Sequence, residues 1–260
     1  MYILEIDNLS KYFGGVKAVD DFNMKLEEGS ITSIIGPNGA GKTTIFNLIT
    51  GIYPPTKGSI VLHGNSILGL PTYKIVDLGL ARTFQNIRLF VNSTVLDNVR
   101  AACHDMANYS VLEGFFPSKR RYQQEKLIKD RSMALLETVG LADRAEEIAS
   151  KLPYGYQRRL EIARALALNP KILLLDEPAA GMNPEESLQL MDFIRKMREK
   201  FALTTLLIEH HMELVMGLSD YITVVDFGKT IATGTPKEVQ NDPEVIKAYL
   251  GYGDKIEEVA

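Results

Sequence analysis

The sequence predicts an α/β fold built on a parallel sheet, with an antiparallel β segment before it and a helical insertion within it. Three observations support this architecture. From Lys171 onward, short apolar strands alternate with segments of helical periodicity, an order typical of a parallel sheet. Near the N-terminus, two segments alternate apolar and polar residues around a glycine turn, which favours antiparallel strands. The region 87–152 shows helical periodicity and contains no convincing strand.

The individual elements follow from apolar spacing and from residues that start or stop them. The first helix, for example, ends at Gly51, with two prolines just beyond. The predicted strands are Ile3–Leu9, Ala18–Leu26, Ser30–Ile35, Ser59–His63, Lys171–Leu175, Thr204–Ile208 and a hairpin over Tyr221–Ala232 that turns at Phe227. The predicted helices are Lys42–Thr50, Val95–Ala102, Gln124–Val139, Arg158–Leu168, Pro184–Lys200, His211–Leu218, Pro236–Val239 and Pro243–Leu250.

Composition narrows the class of protein. The 260 residues include 29 Lys+Arg and 33 Asp+Glu, and the net charge of -4 argues against a dedicated nucleic-acid binder. A single cysteine, Cys103, excludes an internal disulfide. No apolar run approaches the roughly 18–20 residues needed to cross a bilayer, and the N-terminus lacks the features of a signal peptide. We therefore expect the protein to stay in the cytoplasm and to reach a membrane through a partner.

The strongest motif is a complete G-x-x-x-x-G-K-T sequence placed between an apolar strand and a helix. Its glycines allow successive backbone N–H groups to face one anion, and the helix N-terminus adds its dipole. Lys42 is expected to reach the β- and γ-phosphates of a nucleotide, and the Thr43 hydroxyl to bind Mg²⁺. The predicted nucleotide-binding loop consists of Gly36, Pro37, Asn38, Gly39, Ala40, Gly41, Lys42, Thr43 and Thr44.

Two adjacent carboxylates end the buried strand that begins at Ile172. Asp176 is suited to holding Mg²⁺, directly or through water, and Glu177 to polarising an attacking water as a general base. Alone, two acids at a strand end could be a turn cap, but together with the phosphate loop they indicate a P-loop NTPase. Kinases and GTPases of this class rarely place a glutamate directly after the Mg²⁺ aspartate, so ATP hydrolysis is favoured.

In the order of its motifs, the chain resembles the ATP-binding cassette (ABC) ATPase family over essentially its whole length. The resemblance implies that Gln85 belongs to the Q-loop, where it reaches Mg²⁺ and the attacking water, and that His210 is the switch histidine. Phe13 matches the aromatic residue that stacks on adenine, with Tyr12 as the alternative. Ala180, Gly181, Met182 and Asn183 occupy the D-loop, and Tyr154, Gly155, Tyr156 and Gln157 the signature segment that contacts the nucleotide of the opposite subunit. The catalytic set is Glu177, His210, Lys42 and Gln85, and the Mg²⁺ ligands are Thr43, Gln85 and Asp176.

Two departures from the family pattern affect these expectations. Pro153 replaces the signature serine and has neither a hydroxyl nor a backbone N–H. We hypothesise that this subunit therefore contributes more weakly to its partner's ATP site, relying on amides near Gly155 and on the following helix dipole. Asn183 replaces the usual D-loop aspartate, which puts that residue's intersubunit hydrogen bonds in doubt. A metal site formed by Glu209, His210, His211 and Glu213 is a weaker alternative, because it lacks HExxH spacing.

Within the family, the chain looks most like the ATPase subunits of bacterial and archaeal importers for branched-chain amino acids, while urea importers and lipopolysaccharide exporters use close relatives. The segments that carry this similarity start at Ala81, Arg158, Asp176, Ile208 and Pro243, together with an insertion over Phe115–Arg131. A soluble non-transport ABC ATPase and a P-loop kinase or GTPase are the other classes considered. The basic run Ser118–Tyr122 reads as a solvated face or as a contact with lipid headgroups or a partner.

The resemblance also implies an assembly. One chain is a single ABC ATPase domain (1–260), with a β subdomain and RecA-like core (1–86 plus 165–240), a helical subdomain (87–164) and a C-terminal helix and tail (241–260). Two ATPase subunits, identical or related, would close over two ATP molecules with Mg²⁺. Their partners would be transmembrane permease subunits and, indirectly, a periplasmic or extracellular solute-binding protein, at the cytoplasmic face of a prokaryotic membrane. No nucleic-acid partner is expected.

Overall fold

The computed structural model describes residues 1–104 and 119–250. The chain divides into two compact units, one formed by Met1–Arg82 with Lys171–Ala260 and the other by Thr83–Pro170. They are referred to below as the first unit and the second unit. Within the described ranges, no helix combines the length and the apolar character needed to cross a bilayer.

The elements are numbered in chain order. The strands are β1 Tyr2–Phe13, β2 Val16–Glu27, β3 Ile31–Ile35, β4 Lys57–Leu62, β5 Asn65–Ser66, β6 Leu80–Arg82, β7 Ile172–Asp176, β8 Thr204–Ile208, β9 Tyr221–Asp226 and β10 Lys229–Gly234. The helices are α1 Lys42–Ile49, α2 Thr72–Asp77, α3 Val95–Cys103, α4 Lys119–Thr138, α5 Tyr154–Ala167, α6 Pro184–Phe201, α7 Met212–Leu218, α8 Pro236–Gln240 and α9 Pro243–Leu250.

The first unit contains two sheets. The smaller one is antiparallel, with strand order β2-β1-β4-β5. The larger one has the order β10-β9-β3-β8-β7-β6, in which only β10 pairs antiparallel to its neighbour. Every residue of β3, β7 and β8 is buried, as expected for parallel strands covered on both faces. The carboxyl ends of these strands therefore meet at one edge of a sheet, where α/β proteins bind their ligands.

Several predicted boundaries shift in the structure. Strand β1 continues through Phe13, so the turn is formed by Gly14 and Gly15 alone. Three short elements, β5, α2 and β6, were not predicted. They contain two, six and three residues, too few for a hydrophobic period to show.

The second unit is helical in its described part. Helix α3 begins after Thr94, whose hydroxyl accepts a hydrogen bond from the Asp97 N–H at 3.0 Å. The prediction of a helix over Arg158–Leu168 is wrong at its start, because α5 begins at Tyr154 with Pro153 as the N-cap residue. Proline is compatible with this position because the first N–H groups of a helix have no intrahelical acceptor. Part of the predicted Phe115–Arg131 insertion, and Ser118 of the basic run, lie outside the described residues.

Candidate nucleotide site

The phosphate-binding loop packs tightly against both sheets of the first unit. Gly36 and Gly41 have φ angles of 152° and 103°, which L side chains rarely adopt. A Cβ at Gly36 would lie 1.9 Å from the Val225 carbonyl oxygen, and one at Gly41 would lie 2.3 Å from the Ala18 carbonyl oxygen. Both positions therefore require glycine for conformational and for steric reasons.

A cavity of about 380 Å³ opens over this loop. It is lined by Val16, Lys17, Ala18, Asn38, Gly39, Ala40, Gly41, Lys42, Thr43, Thr44, Glu177 and Phe227. Sequence reasoning did not select Val16, Lys17, Ala18 or Phe227, which come from the start of β2 and the β9–β10 turn. Phe13 and Tyr12 are not among the lining residues, and the Phe13 ring packs edge-on against Tyr53 with centroids 5.4 Å apart.

Lys42 is buried inside its own loop. Its ammonium donates hydrogen bonds to the carbonyl oxygens of Gly36, at 2.7 Å, and Pro37, at 2.9 Å. Burial lowers the pKa of Lys42, while the negative charges of Glu177 and Asp176 oppose that shift. The loop thus holds a cation that interacts with two carboxylates, beside the cavity.

Asp176, the last residue of β7, is held by an arginine from the neighbouring strand. The Arg82 guanidinium donates to Oδ2 of Asp176 at 2.6 Å, and both side chains are buried. Arg82 also donates to the Asn47 side-chain oxygen at 2.8 Å, which links it to α1. The other oxygen of Asp176, Oδ1, is buried and has no hydrogen-bond partner among the described residues. A buried carboxylate oxygen without a partner among the described residues fits the oxygen ligands that Mg²⁺ prefers.

Glu177 and His210 are brought together at the sheet edge. Glu177 has a φ of 44°, and its N–H donates to the Ile208 carbonyl oxygen at 2.9 Å, which fixes it beside the end of β8. One carboxylate oxygen lies 3.7 Å from Nδ1 of His210. A left-handed conformation in a non-glycine residue is typical of strained functional positions.

The D-loop residues precede α6, and the departure at Asn183 has a local role. The Asn183 side chain accepts a hydrogen bond from the Glu186 N–H at 2.9 Å, and the Glu186 carboxylate accepts one from the Asn183 N–H at 3.0 Å. This capping box, with Pro184 in the first turn, starts the helix. Asparagine and aspartate both serve this purpose.

The residues predicted to form the Q-loop and the signature segment lie in the second unit, where the buried ion pair of Arg158 and Glu161 links them. The Arg158 side chain is fully buried and donates to the carbonyl oxygens of Phe84, at 2.7 Å, and Gln85, at 2.9 Å. It also donates to the Glu161 carboxylate at 2.6 Å. Glu161 in turn accepts from the N–H groups of Phe84 and Arg88 at 3.4 and 3.3 Å. The backbone at Gln85 is thus held by the helix that the signature residues Tyr154, Gly155, Tyr156 and Gln157 begin.

Sequence comparison decides the family. The profile of the family described as "ABC transporter" matches residues 19–180. The chain belongs to the ATP-binding proteins of ABC transporters. A second profile, described as "Branched-chain amino acid ATP-binding cassette transporter", matches residues 229–255 of this ABC ATPase. The resemblance drawn from the motifs is confirmed.

Individual relatives agree with this assignment. The high-affinity branched-chain amino acid transport ATP-binding protein BraF of Pseudomonas aeruginosa is 49% identical, and the match covers 96% of this chain and 98% of BraF. LivG of Escherichia coli, described by the same words, is 48% identical over the same shares. A crystal structure of an ABC transporter ATP-binding cassette in its ADP conformation superposes with a TM-score of 0.83 at 31% identity, covering 96% of this chain and 99% of that one. The predicted α/β ABC ATPase fold is confirmed.

Proposed function

We propose that this ABC ATPase binds and hydrolyses ATP to energise a membrane importer for branched-chain amino acids. The observation that carries the enzymatic part is the cavity over the phosphate loop, into which Lys42 and Glu177 both face. The substrate class rests on the relatives' names and on the C-terminal match at residues 229–255, which favours this branch over urea importers and lipopolysaccharide exporters.

The chain's own residues account for phosphate binding. Residues of the loop and of the first turn of α1 line the cavity. Their backbone N–H groups and the helix dipole would therefore stabilise the negative charge of a triphosphate. Lys42 adds a full positive charge on the γ-phosphate side, at the expense of its two carbonyl contacts in the loop. The Mg²⁺ that accompanies ATP would be held by Thr43 and Asp176, and the family resemblance adds Gln85 as a third ligand. When bound, Mg²⁺ neutralises charge on the phosphates.

Glu177 and His210 carry the hydrolytic step in this proposal. Glu177 orients the attacking water and accepts its proton as the oxygen attacks the γ-phosphorus in line with the departing ADP oxygen. His210 lies close enough to Glu177 to contact the same water or the γ-phosphate. Lys42 and the loop amides stabilise the charge that develops on the transferred phosphoryl group.

A partner subunit completes each site in this proposal. One chain has one phosphate loop and one signature segment, so two ATPase subunits, identical or related, close over two ATP molecules. Since α5 begins at Tyr154, the first-turn amides of Tyr154 and Gly155 are placed at a helix N-terminus and replace the missing serine hydroxyl as anion donors. The division into a β and RecA-like core (1–86 plus 165–240), a helical subdomain (87–164) and a C-terminal part (241–260) is retained.

The remaining partners follow from the transporter assignment. Transmembrane permease subunits would receive the motion of closure, with the Q-loop around Gln85 at the contact, and a solute-binding protein would deliver the amino acid. The ATPase would sit at the cytoplasmic face of the membrane, as a peripheral subunit. Phe13 is retained as the adenine-stacking residue, with Tyr12 as the alternative.

Glu177→Gln tests the enzymatic part of the proposal. The variant keeps the side-chain shape but cannot accept a proton, so ATP binding should persist while turnover falls by about 10²–10⁴. Turnover is measured as phosphate release with Mg-ATP, and binding by equilibrium titration with a fluorescent ATP analogue. Glu213→Gln, an exposed acid on α7, is the matched control. Wild-type turnover in the Glu177→Gln variant would contradict the assignment.

The transport part requires the assembled complex. The ATPase is reconstituted with the permease subunits and the solute-binding protein of its transporter in proteoliposomes containing ATP. Uptake of radiolabelled leucine, isoleucine or valine that is lost with Lys42→Ala supports the proposal. ATP-dependent uptake of urea, or no uptake of these amino acids by an otherwise ATP-hydrolysing complex, contradicts the substrate assignment.

A further inference from the structure

Glu209 is a fully buried carboxylate that lies between the end of β8 and His210. One oxygen accepts a hydrogen bond from the Ala179 N–H at 2.9 Å. The other accepts from the N–H groups of His210, at 3.0 Å, and His211, at 3.3 Å. A single side chain therefore serves three backbone donors in two different loops.

These two loops carry the groups assigned to hydrolysis. Ala179 lies two residues after Glu177, at the start of the D-loop turn, while His210 directly follows Glu209. The strands that lead into them pair in parallel, with Asp176 opposite Ile208. The Glu177 N–H bond to the Ile208 carbonyl oxygen is the backbone link between the loops at this point, and Glu209 adds a side-chain link one residue further along.

We propose that Glu209 is a positioning residue that fixes Glu177 and His210 relative to one another by binding both loops. The inference rests on the proposed function, because it concerns the rate of ATP hydrolysis. An ionised carboxylate suits this role because it offers only acceptors, and bonds from N–H groups to a charged acceptor are stronger than neutral ones. A glutamine has one oxygen and one NH₂ group, so it can satisfy one loop and must face the other loop donor to donor.

The same residues could instead hold a metal ion, since ligand atoms of Glu209, His210 and His211 lie within 4.8 Å of one another. The fourth residue of the predicted site, Glu213, does not belong to this group. Both carboxylate oxygens of Glu209 already accept backbone hydrogen bonds, which leaves them poorly placed to serve a cation as well. The remaining contact of the side chain also concerns His210, since Oε2 of Glu209 lies 3.9 Å from Nδ1 of that residue.

The test compares Glu209→Gln and Glu209→Asp with the wild type and with Glu213→Gln, all in the full-length ATPase. Glu209→Asp keeps the charge but is one methylene shorter, so it cannot span both loops. We expect kcat to fall by about tenfold in both Glu209 variants, while the KM and the Kd for ATP stay near wild type, because the phosphate loop is not touched. The Glu213→Gln control should match the wild type in kcat and KM.

A double-mutant cycle separates positioning from general weakening of the fold. If Glu209 acts through His210, the double variant Glu209→Gln/His210→Ala should be no slower than His210→Ala alone. Independent, multiplying losses in the cycle would contradict the proposal, as would wild-type kcat in both single variants. An equal rise in the Kd for ATP and loss of kcat would also overturn it, since that pattern indicates a disordered site.

The measurements distinguish failure of the proposed function from failure of the positioning role. If the wild type and Glu213→Gln do not hydrolyse ATP in any subunit pairing, the proposed function fails. If they hydrolyse ATP and the Glu209 variants do so equally well, only the positioning role fails. A stimulation of wild-type turnover by Zn²⁺ that Glu209→Gln abolishes would replace positioning by metal binding.

Discussion

A buried arginine–carboxylate pair lies in each of the two units, and the two pairs differ in what their oxygens do. In the second unit, Glu161 uses one oxygen for Arg158 and the other for the N–H groups of Phe84 and Arg88. In the first unit, Asp176 gives Oδ2 to Arg82, while Oδ1 has no partner among the described residues. Both pairs have a closest N–O distance of 2.6 Å.

This difference separates a structural role from a chemical one more clearly than burial or charge does. A carboxylate whose acceptors are all used by the protein holds backbone in place, as Glu161 does at Phe84 and Arg88. A buried carboxylate with one unused oxygen costs folding free energy unless a ligand supplies the partner. Asp176 therefore fits the role of a cation ligand, and Arg82 orients it by occupying the opposite oxygen.

Among the variants that test this difference, Asp176→Asn should have the largest effect, and the effect is on catalysis. Asp176→Asn retains an oxygen for Arg82 but removes the charge that faces the cation, so Mg-ATP hydrolysis should fall by about 10²–10³. Glu161→Gln, the same change in the other pair, should lower turnover by about tenfold at most, because it disturbs the bonds that hold the backbone near Gln85 and removes no cation ligand. Phosphate release at several Mg²⁺ concentrations measures both. Equal losses in the two variants would show that the unused oxygen does not distinguish the pairs.

The next effect is on stability. Arg158→Ala leaves Glu161 buried without its cation and frees the Phe84 and Gln85 carbonyls, so the free energy of unfolding should fall by about 3–5 kcal/mol. Arg159→Ala, at the adjacent and partly exposed position of α5, should cost less than about 1 kcal/mol. Urea denaturation followed by circular dichroism measures both losses. A similar loss in the two variants would contradict the stabilising role given to the bonds from Arg158 to the Phe84 and Gln85 carbonyls.

The smallest effect is a change in pH dependence. Burial raises the pKa of the Glu161 carboxyl, and the charge of Arg158 only partly opposes it. The folded state then retains this proton to a higher pH than the unfolded chain does. The contribution of Glu161 to stability is therefore full below the ordinary glutamate pKa and is lost as pH rises through the raised value.

Glu161→Gln does not titrate, so its unfolding free energy should decline less with pH over that window than the wild-type value. Denaturation curves collected from acid to neutral pH test this. A steeper decline in the variant than in the wild type would reverse the assigned direction of the pKa shift.

How much the sequence could predict depends on how far apart the interacting residues lie. The phosphate loop, Asp176 and Glu177 were predictable because each is encoded by a short motif next to an apolar strand. Arg82 was not assigned to Asp176, since 94 residues separate them and β6, the strand that brings them together, has only three residues. The profile match confirms the family, whereas the individual site roles stay predictions that the variants above test.

Asn183 and Glu209 were both singled out in the sequence, but for roles that differ from their contacts in the structure. Asn183 was considered only as a departure in the D-loop, although Asn-Pro-Glu-Glu is also the start of a capped helix. Glu209 was considered as a metal ligand because it adjoins two histidines. Its hydrogen bond to Ala179, 30 residues away, depends on the parallel pairing of β7 with β8, which no local pattern encodes.

The contacts of Gly36 with Val225 and of Gly41 with Ala18 place the nucleotide loop between a strand of each sheet. Binding of ATP to this loop should therefore reduce the motion of both strands. In hydrogen–deuterium exchange, amides of β2 and β9 should slow together when ATP is added, although these strands belong to different sheets. ATP binding would thus stabilise both sheets of the first unit and not the loop alone.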